Sequence, residues 1–168
     1  MKHLIALTAL ILVFTRYAEA ECSFDQDNQL SVIAAIDKKF SGGKVNLDQR
    51  QIIWSTASNV TTTFGFGGCE DFGSTVARST PMAKPRTQQQ VFALAHELSM
   101  RFWSEEPVSE RLVTDALADA IQHSRYTEER DGSRTIFNIS HPGFVQLYIE
   151  HEYVNGIDRV VVVWQGAF

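Results

Sequence analysis

The spacing of apolar residues in the first two thirds of the chain predicts four helices. The first covers about Gln29 to Phe40, and a second begins near Asp48. The third follows Thr87, whose side chain can cap the helix while Gln90 reaches back to it. A fourth begins after Pro107. In each segment apolar positions recur every three or four residues, which places them on one face of a helix.

Residues 64–86, between the second and third predicted helices, are rich in turn-forming residues. Four glycines and two prolines fall within this segment. Because these residues interrupt both helical and strand patterns, we expect an irregular loop here. One short strand from about Ser74 to Ser79 interrupts the predicted loop.

The last third of the chain changes to strand-forming residues with two turn signals. Asp131-Gly132 and Asn155-Gly156 each separate two β-prone runs. Both dipeptides tolerate the positive φ angles of a two-residue hairpin turn, so they predict two antiparallel hairpins. His141-Pro142-Gly143 joins them into a four-stranded meander. Helices first and strands afterwards predict an α+β domain, with N-terminal helices packed on a C-terminal four-stranded antiparallel sheet.

A two-residue loop at Asn155-Gly156 also predicts the register of the second hairpin. Val154 then lies opposite Ile157, and the pairing continues outward along both strands. The remaining predicted pairs are Glu152–Arg159, His151–Val160, Ile149–Val162 and Leu147–Trp164. The last two pairs form an apolar face that helices can cover.

The first twenty residues have the pattern of a secretory signal peptide. Lys2 and His3 precede the apolar run Leu4–Phe14, and the segment ends in Ala18-Glu19-Ala20. The apolar run is too short to span a bilayer. We therefore expect cleavage near Ala20, no stable membrane insertion and a periplasmic or secreted protein. Residues 21–168 then form a single globular domain.

Two cysteines remain after the predicted cleavage, Cys22 and Cys69. In an oxidising compartment this pair predicts one disulfide bond. The two residues are far apart in sequence and form no C-x-x-C motif, which argues against a redox role.

The charge balance disfavours some classes of partner. The whole chain carries 15 basic and 20 acidic residues, a net charge of −5. Removing residues 1–20 takes away Lys2, Arg16 and Glu19, which leaves 13 basic and 19 acidic residues and a net charge of −6. A mildly acidic protein is a poor candidate for binding nucleic acid, whereas it suits a basic protein partner.

The sequence contains no complete catalytic or metal-binding motif that we can identify. His96-Glu97 begins a zinc-protease pattern, but the second histidine of that pattern is replaced by Met100. Glu150 and Glu152 alternate with His151 along a predicted strand, so His151 points to the opposite face. We therefore expect no catalytic residues, no metal and no cofactor. The alternative is a small secreted hydrolase or peptidoglycan-processing enzyme, which would have to assemble these residues from distant segments.

These features favour a non-enzymatic binding protein of the cell envelope. Bacterial periplasmic immunity proteins, including those against peptidoglycan amidases delivered by type VI secretion, are similar to this chain in general profile only. On this hypothesis the protein blocks the active site of a cognate secreted effector. The candidate contact residues lie in the loop around Cys69 and at the tip of the first hairpin: Glu70, Asp71, Phe72, Glu128, Glu129 and Asp131.

Two further alternatives stay open. One is an envelope assembly or adhesion module that uses an exposed sheet edge. The other is a homodimer, with which the sequence is also compatible.

Asn59 and Asn138 begin N-glycosylation triplets, which matter only in a eukaryotic secretory pathway.

Overall fold

A single eight-stranded antiparallel sheet with three helices forms the fold. The computed structural model describes residues 26–66, 73–103 and 108–166. The elements in chain order are α1 (Gln26–Lys39), β1 (Lys44–Asn46), β2 (Gln51–Ser55), β3 (Thr61–Phe66), β4 (Gly73–Pro81), α2 (Gln88–Trp103), α3 (Val108–His123), β5 (Thr127–Asp131), β6 (Arg134–Asn138), β7 (Phe144–Val154) and β8 (Ile157–Gly166).

The sheet consists of two four-stranded meanders joined side by side. Its strand order is β1-β2-β3-β4-β8-β7-β6-β5, so the last strand of each meander lies at the centre. β4 pairs antiparallel with β8 along its whole length, from Gly73 opposite Gln165 to Pro81 opposite Ile157. α2 and α3 connect the two meanders. The order places β1 and β5 at the two edges of the sheet.

One row of apolar side chains crosses the six central strands on the face that the helices cover. Each of its members is at most 3% exposed: Ile52, Phe64, Val76, Val162, Ile149 and Phe137. α1 contacts β2, whereas α2 packs on β4, β7 and β8 and also against α3. Burying this row removes several large apolar side chains from water, which is the main driving force for joining the two meanders.

The predicted sheet of four strands is wrong, because the sheet has eight. The segment assigned to a second helix from Asp48 forms β2, and the threonine run that follows it forms β3. β3 alternates regularly: Thr62, Phe64 and Phe66 are buried, and the residues between them are half-buried. β-branched and aromatic residues favour strands, and here that preference prevails over an apparent helical spacing.

The predicted irregular loop at 64–86 is also largely wrong. The short strand expected at Ser74–Ser79 exists, but it is the longer β4, and β3 occupies the start of the segment. Gly73 begins β4 where a Cβ atom would lie 2.3 Å from the carbonyl oxygen of Trp164. The glycine that suggested a loop therefore permits close pairing of β4 with β8.

The predictions for the third helix, which is α2, and for the second hairpin are confirmed. Thr87 and Gln90 form a reciprocal capping box, with N···O distances of 2.9 and 3.4 Å. The fourth predicted helix is α3, which begins at Val108, just after Pro107. The second hairpin has the predicted register at every predicted pair. Glu152 lies opposite Arg159, and the apolar pairs Ile149–Val162 and Leu147–Trp164 form as expected. The first hairpin exists as predicted, but Asp131 ends β5 opposite Arg134, so its two-residue turn is Gly132-Ser133 and not Asp131-Gly132.

The predicted disulfide and signal peptide concern residues that lie outside the described ranges. Neither Cys22 nor Cys69 is among the described residues, and no disulfide occurs within them. Residues 1–20 are likewise outside. In the part of the chain that is described, no helix is long and apolar enough to cross a membrane.

Candidate functional site

The first hairpin places charged residues at one edge of the sheet. Among the described strands β5 pairs with β6 alone, and all five of its residues, Thr127–Asp131, are exposed. Glu128, Glu129 and Asp131, three of the residues predicted to bind a partner, therefore share one accessible edge strand. The other three, Glu70, Asp71 and Phe72, lie outside the described residues.

Two carboxylates of this edge are held by neighbouring side chains on opposite faces of the strand. Glu128 accepts a 2.6 Å hydrogen bond from Nε of Arg130. Glu129 accepts a 3.0 Å hydrogen bond from the amide of Asn138 on β6. Because these hydrogen bonds restrict the rotamers of the two glutamates, less side-chain entropy is lost when a partner binds them.

Asp131 is the third acid of this strand and is largely exposed. It ends β5 directly before the two-residue turn, where Gly132 adopts a φ of 58°. Its side chain is 81% exposed and accepts a 3.2 Å hydrogen bond from Arg134 across the hairpin. This exposed ion pair contributes little to stability, so the charge of Asp131 is available for an incoming group.

The edges of the sheet are poor templates for adding a strand from another chain. An edge strand presents unpaired backbone groups, and charged side chains on it oppose pairing with a further strand. β5 carries four charged residues among five, and β1 is only three residues long. Recognition at β5 is therefore expected to use side chains, which argues against the adhesion-module alternative.

A second charged cluster lies on the outer face, which carries Ala77, Val161 and Glu150 and lies opposite the face that the described helices cover. Ala77 and Val161 lie outside the hydrophobic cluster that the helices form with the inner face. Glu150 is flanked there by the guanidinium groups of Arg134 and Arg159, each 3.7 Å from one of its carboxylate oxygens. Its side chain is 16% exposed.

A buried carboxylate on the helix-covered face was missed by the sequence analysis. Asp158 is fully buried at the start of β8. It accepts hydrogen bonds from the backbone and the guanidinium of Arg86 and from Nε2 of His151. Arg86 also reaches the hydroxyl of Thr80 at 3.3 Å. These contacts tie the connection between β4 and α2 to the second hairpin.

The ionisation of Asp158 follows from these contacts. Burial alone would raise the pKa of the Asp158 carboxyl, but the hydrogen bonds from His151 and Arg86 and the Arg86 charge outweigh it and lower the pKa. A signal for this residue was present in the sequence. The predicted register places Asp158 on the same face as Val160, Val162 and Trp164, where a charge requires a partner.

The residues that an enzyme would have to assemble lie in separate places. His96 is exposed on α2, and Nε2 of His151 is hydrogen-bonded to Asp158. Glu150 and Glu152 point to the outer face, opposite His151. Among the described residues there is no group of three or more metal-ligating side chains that could hold an ion.

A groove between α2 and α3 is a further surface feature that the sequence did not predict. It encloses about 580 Å³ and has a largely apolar floor, with Phe92, Ile121 and Tyr126 among its lining residues. Gln88 donates a 2.8 Å hydrogen bond to the hydroxyl of Tyr126 at its border. His96 also lines this groove.

Comparisons with protein-family models, with curated proteins and with solved structures found no match to this chain.

Proposed function

We propose that this protein is a non-catalytic inhibitor of the cell envelope, an immunity protein that neutralises a secreted cell-wall-degrading effector such as a peptidoglycan amidase. The observation that carries the proposal is the exposed edge strand β5, whose three carboxylates are oriented by neighbouring side chains. Binding of this hairpin at the effector's cleft would exclude peptidoglycan sterically, so the inhibitor itself needs no reactive group.

The charge distribution supports a basic partner. Asp131 and Glu129 are exposed to solvent on the edge strand β5. Complementary charge increases the rate of encounter between two proteins and suppresses binding to wrong partners. The acidic balance of the chain, with 20 acidic against 15 basic residues, acts in the same direction at longer range.

The rigidity of the hairpin supports inhibition through a preformed surface. The β5–β6 hairpin is closed by a two-residue turn, and β6 is paired along its length with β7. Phe137 of β6 is buried against Phe92 of α2, with ring centroids 4.9 Å apart. The charged edge is therefore anchored to the core, which reduces the entropy lost when a partner binds.

The place of action is inferred from the leader pattern of residues 1–20. A protein exported by this route meets enzymes that act on the cell wall, which gives the inhibitor access to its proposed target. Fractionation of the producing cells tests this part of the proposal. We expect the shortened chain in the periplasmic or secreted fraction, whereas a cytoplasmic full-length chain would contradict it.

The experiment that tests the function combines capture with an activity assay. The exported protein is immobilised, and proteins that bind it from the cell envelope and culture medium are identified. Each captured enzyme is then assayed for peptidoglycan hydrolysis with and without an equimolar amount of the protein. We expect one captured hydrolase to lose activity in a stoichiometric complex. Peptidoglycan turnover by the isolated protein would overturn the proposal.

A further inference from the structure

The outer face contains a cleft of mixed polar and apolar lining next to the charged edge. Strands β6 and β7 border this cleft, whose volume is about 310 Å³, within the range of small-molecule sites. Its lining residues combine hydrogen-bonding groups with one aromatic ring and the aliphatic residues Ile136, Ile139 and Leu147. They include Arg134, Ile136, Asn138, Gln146, Tyr148 and Glu150.

Glu150 has unused acceptor capacity. Its carboxylate oxygens lie 3.7 Å from the guanidinium groups of Arg134 and Arg159, which is longer than a hydrogen bond. Within the described part of the chain, no side chain donates a hydrogen bond to this carboxylate. A half-buried carboxylate of this kind gains most from a ligand that brings its own donors.

Tyr148 provides the second element of the cleft. It lies two residues from Glu150 on the same strand face, opposite Val163 of β8. Burial raises the pKa of the Tyr148 hydroxyl, the charge of Glu150 raises it further, and Arg134 opposes this effect. The hydroxyl therefore stays neutral at neutral pH and can donate a hydrogen bond, next to an aromatic ring that offers an apolar surface.

Charges of both signs lie around the cleft, and Glu129 and Asp131 of β5 lie beside it as hydrogen-bond acceptors of Asn138 and Arg134. Arg134 and Arg159 are matched by Glu150 and by Glu152, which lies opposite both arginines in the paired strands. A ligand with a strong net charge of either sign would face repulsion from one of the two pairs. A neutral ligand with many hydroxyl groups can both donate to Glu150 and accept from the arginines.

We propose that this cleft binds a neutral saccharide, with the hydroxyls of a sugar ring on Glu150 and Arg134 and its apolar face on Tyr148 and Ile136. Sugars present donors and acceptors around a ring that also has C–H faces, which matches this mixed set of side chains. The site does not depend on the proposed inhibitor function, because it lies on the sheet face and requires no protein partner.

The test is a titration of the isotope-labelled exported protein with neutral trisaccharides, followed by NMR. Chitotriose and cellotriose are the probes, and trigalacturonate is the anionic comparison. We expect millimolar or tighter binding of at least one neutral probe, with shifts centred on Ile136, Tyr148 and Glu150. Trigalacturonate should bind more weakly.

Conservative variants separate binding from folding. Glu150→Gln should weaken binding of the neutral probe by about tenfold. This is the scale expected for losing a hydrogen bond to a charged group. Tyr148→Phe, which keeps the aromatic ring, should weaken binding of the probe less than Tyr148→Ala does. Gln122→Ala, in the groove between α2 and α3, is the control and should leave the affinity unchanged.

Several outcomes would overturn the saccharide proposal. These are the absence of shifts at millimolar probe, shifts confined to the helix side of the sheet, and equal binding of trigalacturonate. Coverage of Tyr148 by a captured protein, without saccharide binding, would also overturn it and would assign the cleft to protein recognition. Because the proposed function is read out by inhibition of a hydrolase, either proposal can fail while the other stands.

Discussion

Nε2 of His151 lies 2.9 Å from Oδ2 of Asp158, and the two residues share the helix-covered side of the β7–β8 hairpin. The carboxylate is fully buried and also accepts hydrogen bonds from Arg86, which precedes α2. The carboxylate of Asp158 on β8 thus binds His151 of β7 and Arg86 of the β4–α2 connection. We interpret this arrangement as a structural clasp that fixes the helical layer on the centre of the sheet.

Replacement of the buried carboxylate should destabilise the fold. Asp158→Asn removes the charge that compensates Arg86, so the guanidinium remains half-buried with a weaker acceptor. Breaking a buried charge pair from one side costs about 3 kcal/mol. Urea unfolding followed by far-UV circular dichroism measures the free energy of unfolding.

Asp131→Asn is the matched control for that variant, because Asp131 is also paired with an arginine but is 81% exposed. Its effect should be below about 1 kcal/mol. Equal losses for the two variants would show that burial of Asp158 does not determine its contribution.

The clasp also predicts an acid-dependent loss of stability. The pKa of the Asp158 carboxyl is lowered from 3.8 in the folded protein. At acidic pH this carboxyl therefore binds fewer protons on average in the folded than in the unfolded protein. This contribution is fully present above the unfolded-state value and is lost as the pH falls through the lower folded-state value. Unfolding free energies measured between neutral pH and strong acid should show a shallower acid decline in Asp158→Asn. Parallel curves for both proteins would contradict the assignment.

The hairpin at Asn155-Gly156 was predictable because local chemistry determines it. Both residues have positive φ, 52° and 76°, and the register follows from a two-residue turn. β2 and β3 were not predictable in the same way, since the apolar residues at 52–54 are compatible with either spacing. Their strand conformation depends on pairing with residues far along the chain, through β4 and ultimately β8.

Gly156→Ala tests the turn directly. A residue with a Cβ atom pays about 1 kcal/mol to adopt the left-handed conformation that Gly156 has. Its nearest non-neighbouring atom would be 3.8 Å away, so the cost is conformational and not steric. The free energy of unfolding should fall by about this amount. Ser140→Ala, at an exposed position, should change it little, and equal stability of Gly156→Ala and wild type would refute the argument.

A hydrogen bond between Ser74 and Trp103 connects the sheet to α2. The indole N–H of Trp103 donates to the Ser74 hydroxyl at 2.9 Å, and both residues are buried. Ser74→Ala leaves this donor unsatisfied, and we expect a loss of about 1 to 3 kcal/mol in unfolding free energy. Ser79→Ala, on the same strand but half-buried, is the control. Thermal unfolding of both variants measures the difference, and a larger effect at Ser79 would contradict it.

The candidate site was only partly accessible to sequence reasoning. The acidic residues at 128–131 were recognised as a charged hairpin tip, but nothing in the local sequence showed that β5 is an edge of an eight-stranded sheet. The outer-face cleft was not predictable either. Its Arg134 and Glu150 come from different strands, and their 3.7 Å approach depends on the register of β6 with β7.

The association rate of the protein with its captured hydrolase tests the central claim most directly. The triple variant Glu128→Gln, Glu129→Gln, Asp131→Asn removes the three carboxylates of β5. Its control removes three exposed acids elsewhere, Asp48, Asp115 and Asp119, each by substitution with Asn. Both variants change the net charge equally. We expect the β5 variant to associate at least about tenfold more slowly at low salt and to lose most of its salt dependence. Equal rates for the two variants would contradict recognition through β5.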